Sequence, residues 1–200
     1  MSKKIRKADI KRKTSETDIK LKLVIDGSGK ASIKTDMPFL DHMLTLLAKH
    51  GLFDIQAKAT GDLHVDIHHT NEDVGIALGQ AFTKALGNKA GVRRYGFFSV
   101  PMDEVLVRAT LDFSGRPSLF VTKNKGVSFS RLENYSFHDA TEFLRAFCQH
   151  AGINMHLEVL SGHDAHHIIE GTFKAIAKAL DMATQIDPRV KGIPSTKGSL

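Results

Sequence analysis

The 200-residue chain has no tryptophan, two tyrosines, five prolines and a single cysteine, Cys148. One cysteine excludes an internal disulfide and a thiolate-rich structural zinc site, and it suits a reducing compartment, so a cytoplasmic protein is expected. No apolar run approaches the roughly 20 residues that a membrane-spanning helix needs. The first residues are basic and polar, unlike the apolar core of a secretory signal. Aromatic residues are scarce, at 7 %, and are not interleaved with the cations as stacking on nucleic-acid bases would require. No nucleic-acid or membrane partner is therefore expected. The formal charge of +6 still admits a phosphorylated or otherwise anionic small molecule.

What is present reads as a folded α+β chain. Ile5 to Lys13 has strand character, and Asp18 to Asp26 alternates, with Ile19, Leu21, Leu23 and Ile25 on one face. Lys30 to Lys34 is also strand-like. Pro38 opens a helix that runs to His50, with Gly51 expected to cap it. Phe53 to Ala59 is a strand and Asn71 to Leu86 a helix. After a linker-like Gly87 to Gly91, strands are expected over Glu104–Asp112, Ser118–Thr122 and Ile153–Leu160. Helices are expected over Asp139–His150 and His163–Met182, before an irregular tail from Asp187. The helix ending at His50 aligns with the one ending at His150, and His68-His-Thr-Asn-Glu72 aligns with His166-His-Ile-Ile-Glu170. This is an internal duplication of a β-β-α-β-α unit. It predicts two sheets with helices on one face of each, with residues 1–90 as the first half-repeat and 91–200 as the second of one compact domain.

The repeated His-His-x-x-Glu carries the chemistry. On a helix, His68 and Glu72 share a face, as do His166 and Glu170, so each pair can grip one cation. The adjacent His69 and His167 point roughly 100° away and are free for another. Pseudo-twofold symmetry then predicts two similar sites, one from His68, Glu72 and His167, the other from His166, Glu170 and His69. His42 and Glu142 hold equivalent places and could each add a ligand. Imidazole and carboxylate without thiolate suit Mn, Fe, Co, Ni or Zn. His50 and His150 either face a helix dipole or touch substrate. His64 and His156 read as structural strand residues. Asp41, Asp62 and Asp73 either orient ligand histidines or cap and turn the chain. Lys174 lies one turn beyond Glu170 on its face, within reach of an anion beside a metal. Two classes stay open on these grounds, a dinuclear metal enzyme, including a phosphate-ester hydrolase, and a metal-storage shell; a basic RNA-binding module is disfavoured, since few aromatics interleave with the cations and the histidine clusters would be idle.

Phe39-Leu-Asp-His-Met43, His50-Gly51, Gly61-Asp-Leu63, His68-His-Thr-x-Glu-Asp73, Ser114-Gly-Arg-Pro117 and His166-His-Ile-Ile-Glu170 with Phe173-Lys-Ala175 together resemble the imidazoleglycerol-phosphate dehydratase family. The likeness runs from about Arg12 to the C-terminus. It implies dehydration of D-erythro-imidazole glycerol phosphate to imidazole acetol phosphate in histidine biosynthesis, with two Mn2+ ions per active site. It also implies a duplicated α+β fold and an octahedral 24-subunit homo-oligomer with sites shared between subunits. Carried over by position, the ligands are His42, His68, His69, Glu72, His166, His167 and Glu170. Glu142 stands where many members have histidine and is retained as a ligand. Asp164 replaces a common asparagine. Arg94, Arg116, Lys174, Ser195 and Lys197 become phosphate contacts, with His50 near the substrate. Glu16 becomes the substrate-contacting base, and Glu72 and Glu170 serve catalysis as metal-holding carboxylates. In such a reaction the proton removed lies on a carbon with no carbonyl beside it. Two cations flanking the imidazole ring would help it expel the neighbouring hydroxyl, making that proton acidic.

Overall fold

The computed structural model describes residues 5–130, 132 and 134–200. The basic first four residues, expected not to form a signal segment, lie outside the described residues. The first half contains β1 (Lys7–Lys13), β2 (Thr17–Val24), β3 (Ala31–Lys34), α1 (Pro38–Gly51), β4 (Asp54–Gly61) and α2 (His68–Leu86). The second contains β5 (Tyr95–Met102), β6 (Val105–Asp112), β7 (Ser118–Lys123), α3 (Phe137–Ala151), β8 (Asn154–Ser161) and α4 (Ala165–Thr184). The duplicated pattern is present, with a third strand ahead of the first helix in each half.

The two sheets have the same order, β1-β2-β4-β3 and β5-β6-β8-β7. Hairpin neighbours run antiparallel, while β3 with β4 and β7 with β8 run parallel. A parallel pair needs a crossover, and α1 and α3 supply it. Alternation decides which face is covered. Ile19, Leu21 and Leu23 of β2 are buried while Lys20 and Lys22 are exposed. In the other sheet Val105, Val107, Ala109 and Leu111 face inward with Met155, Leu157 and Val159.

The helices close these faces by crossing between halves. Helix α2 covers β1 and β2 and lies along α3; α4 covers β5 and β6 and lies along α1. One apolar interior results. Phe82 bridges it, edge-to-face with Phe53 at 5.2 Å and with Phe147 at 5.5 Å. The α2–α3 approach depends on two glycines: a Cβ at Gly75 or Gly79 would stand 2.6 Å from the carbonyl oxygen of Phe143 or Phe147.

Several local expectations change. Gly51 is not the cap of α1. Leu52 takes the left-handed conformation (φ 58°), while a Cβ on Gly51 would meet the Phe53 ring at 2.4 Å, so glycine is there for closeness. In the second half Gly152 (φ 67°) does end the helix. Strand β5 is the element the sequence reading lacks. It is an edge strand with Tyr95, Phe97 and Phe98 exposed, Gly96 against α4 and Pro101 near its end, so period-two alternation is blurred. The linker-like segment is held in place: Gly91 bonds to Gly192 and Asp187, and Val92 bridges Ile186. His64 lies in an exposed turn, not a strand.

Candidate metal centre

Both histidine pairs sit in the first turn of a helix. In α4, Asp164 caps the helix by accepting from the His167 N–H at 3.1 Å, which answers how aspartate serves at that position. In α2, which begins at His68 and not Asn71, the Asp66 carboxylate accepts from the His68 N–H at 2.7 Å. Asp164 is thus the side-chain cap of α4, whereas the N-cap of α2, Ile67, makes no such bond and Asp66 holds the first turn from one residue earlier.

The tightest cluster joins the halves. His42 Nε2 from α1 and His166 Nε2 from α4 each lie 3.3 Å from Glu170 Oε2. The other oxygen, Oε1, meets Lys174 Nζ at 2.6 Å. Burial would raise the Glu170 carboxyl, but Lys174 and the two imidazoles outweigh it and hold it below the ordinary value. The edge of Phe39 supports the His166 ring at 5.2 Å. Both histidines open into a cavity of about 670 Å³ that Phe39, Leu63, Ile67 and Tyr135 also line.

The remaining motif residues form further sets, of which His69, Asp62 and Glu16 also lie within ligand distance of one another. His68 and Glu72 face each other at 3.8 Å. His69 Nδ1 donates to Asp62 at 2.9 Å, with Glu16 Oε2 at 3.8 Å. That bond, chiefly, raises the His69 pKa. His167 Nδ1 donates to Glu104 at 3.0 Å, raising His167 and pulling Glu104 down to about 2. Glu16 rides on the β1–β2 hairpin, which Asp73 fastens to α2 by accepting from Arg12 and Thr17. Asp41 instead holds Thr35 ahead of α1, so it orients the chain and not His42.

Several expected partners do not meet within one chain. Among the described residues, neither His68, Glu72 and His167 nor His166, Glu170 and His69 form a ligand-distance group. Glu142 is half-buried, lies 3.4 Å from Arg145 and joins no such group. His50 is within electrostatic reach of Lys174 and Glu170; burial first, then Lys174 and Lys178, lowers its pKa. Arg94 grips Asp112 in a two-pronged ion pair and donates to the Pro194 carbonyl. Exposed Arg116 follows Gly115, over which the Leu200 backbone closes, and Ser195 Oγ accepts from the Lys197 N–H. The cations Arg94 and Arg116 thus lie along the tail that carries Ser195 and Lys197. Sequence reading passed over Glu104 as a site residue. Its place at the end of a hairpin turn, matching Glu16, is evident only once β5 is in view.

Two imidazoles and a carboxylate oxygen, all within 4.8 Å of one another and without thiolate, fit a borderline divalent cation. Fold and site therefore define a duplicated α+β protein whose helix starts present imidazole–carboxylate clusters shaped for such ions. Residues 35–180 match the family model described as imidazoleglycerol-phosphate dehydratase. The dehydratase of that name from Thermoanaerobacter pseudethanolicus is 55 % identical over 98 % of this chain and 100 % of its own length. That from Pelobacter propionicus is 52 % identical over 98 % and 99 %. The crystal structure of the Staphylococcus aureus dehydratase superimposes with a TM-score of 0.79 at 32 % identity, covering 90 % of this chain and 99 % of its own. The Pyrococcus furiosus enzyme, solved in complex with (S)-C348, gives 0.80 at 34 % identity over 96 % and 100 %. The chain belongs to the imidazoleglycerol-phosphate dehydratase family, hydro-lyases of histidine biosynthesis.

Proposed function

We propose that this chain dehydrates D-erythro-imidazole glycerol phosphate to imidazole acetol phosphate using Mn2+, two ions per active site, in the cytoplasm. The observation that carries the metal reading is the convergence of His42 and His166 on one Glu170 oxygen. Among the described residues His68, Glu72 and His167 join no ligand-distance group of three, and His69 joins only Asp62 and Glu16, which supports sites completed by a neighbouring copy. We read the assembly as the octahedral 24-subunit shell, with Glu142 as a ligand only where a copy turns it toward His68 and Glu72.

When bound, the cations supply Lewis acidity and a template for the imidazole ring. The chain's own residues do the rest. Glu16, exposed near His69 and steadied through Asp73, takes the carbon-bound proton and returns it to the departing hydroxyl, which leaves as water, and the enol then tautomerises to the ketone. Lys174, with Arg94, Arg116, Ser195 and Lys197, holds the phosphate end, so that remote binding energy orients the reacting carbons. His50, whose pKa burial and then Lys174 lower, borders the same end.

Mn2+-loaded protein given imidazole glycerol phosphate should form a ketone, and EDTA should abolish it. Full metal occupancy without ketone would overturn the reading, and release of inorganic phosphate would point to a hydrolase.

A further inference from the structure

The hairpin turns Ser15-Glu16 and Asp103-Glu104 occupy the same place in the two halves. Each glutamate immediately precedes an eight-residue strand of the same burial alternation, Thr17–Val24 and Val105–Asp112, and Ile19 pairs with Ala59 as Val107 pairs with Val159, although a bulge between Leu106 and Val107 shifts the second ladder next to the turn. Strands β4 and β8 have equal lengths, so Asp62, directly after Gly61, matches Gly162, directly after Ser161. Equivalent positions nonetheless do different work. Asp62 holds His69 Nδ1 at 2.9 Å with Glu16 farther off at 3.8 Å, whereas Glu104 holds His167 Nδ1 at 3.0 Å.

The exchange has a steric cause. Gly162 sits at φ +123°, and a Cβ there would stand 2.4 Å from Val105 Cγ2. A carboxylate side chain where Asp62 stands in the first half would be strained by this φ and would have to displace Val105. Glu104 reaches in from the hairpin instead. Its second oxygen accepts from the Asp164 N–H at 3.0 Å, at the mouth of α4.

We propose that Glu104 is the positioning residue of His167: by accepting its Nδ1–H it fixes the tautomer that leaves the Nε2 lone pair for a divalent cation. This rests on the reading of His167 as a ligand. A ligating imidazole whose other nitrogen is held keeps its orientation and basicity, and losing such a support typically costs 10- to 100-fold in metal affinity. Because Asp62 performs this task in the first half, Glu16 is left available for the substrate.

The test is calorimetric titration of metal-free, full-length protein with Mn2+, with thermal unfolding of each metal-free variant to establish folding. E104A should weaken one class of sites by roughly 10- to 100-fold and leave the other unchanged. E104Q should lose less, since its amide oxygen can still accept from Nδ1. The double variant E104A/H167A should bind no more weakly than H167A, because Glu104 acts through His167. Wild-type affinity in E104A, or losses that multiply in the double variant, would overturn the proposal and leave Glu104 a loop latch. A wild-type chain that binds no Mn2+ would instead overturn the functional reading beneath it.

Discussion

His42 on α1 and His166 on α4 aim their Nε2 atoms at one oxygen of Glu170, each from 3.3 Å. H42A and H166A should each lower Mn2+ affinity by more than about 100-fold, beyond the loss expected for an outer support. Both histidines are partly exposed, so metal-free unfolding temperatures should barely move. Calorimetry with and without EDTA checks both halves of this expectation.

The contact of α2 with α3 leaves no room at Gly79, where a Cβ would meet Phe147 O at 2.6 Å and His150 Cβ at 2.8 Å. G79A should therefore destabilise by about 1–3 kcal/mol despite its gain in helix propensity. Urea denaturation of the two proteins measures the difference.

Asp54 accepts from the backbone N–H groups of Ser28 and Lys30 at 2.8 and 3.0 Å. Partial burial raises its pKa, but those bonds prevail and hold it below the ordinary 3.8. The folded value is thus below the unfolded one. Its contribution is complete above about pH 4, and it disappears as pH falls through the folded pKa. D54N should cost about 1 kcal/mol at pH 7 after solvent screening, and the gap should close in acid. Denaturation between pH 2.5 and 7 follows it.

Arg94 holds Asp112 with two nitrogens and the Pro194 carbonyl with a third. R94K keeps the charge but not the fork. Limited proteolysis should then cut near residues 190–197 several-fold faster, and the KM for phosphorylated substrate should rise more than kcat falls.

Burial pushes the Cys148 thiol up to about 12. An iodoacetamide-type reagent at pH 8 should leave it unmodified in the folded protein and alkylate it after unfolding. Mass spectrometry reads both states.

Much of this was legible beforehand because the residues concerned obey one period. Strand β2 alternates without interruption, and the doubled His-His-x-x-Glu repeats at matched helix starts. Strand β5 was not legible, since an edge strand with exposed aromatics on its outer face lacks the pattern that burial imposes. Nor was the cap of α1: closeness to Phe53 reserves position 51 for glycine and passes the left-handed turn to Leu52. The ligand motif could be read, but its pairing could not. Helical phase predicts which side chains share a face, and says nothing of which helices meet. Glu104 escaped because its task arises from a clash at Gly162, a contact between segments distant in sequence.

The crossing of α2 onto α3 and of α1 onto α4 makes each half the lid of the other. A chain severed near residue 90 would give two fragments, each carrying a naked oily surface that its counterpart alone is shaped to cover. Produced together they should recombine, and produced singly they should clump.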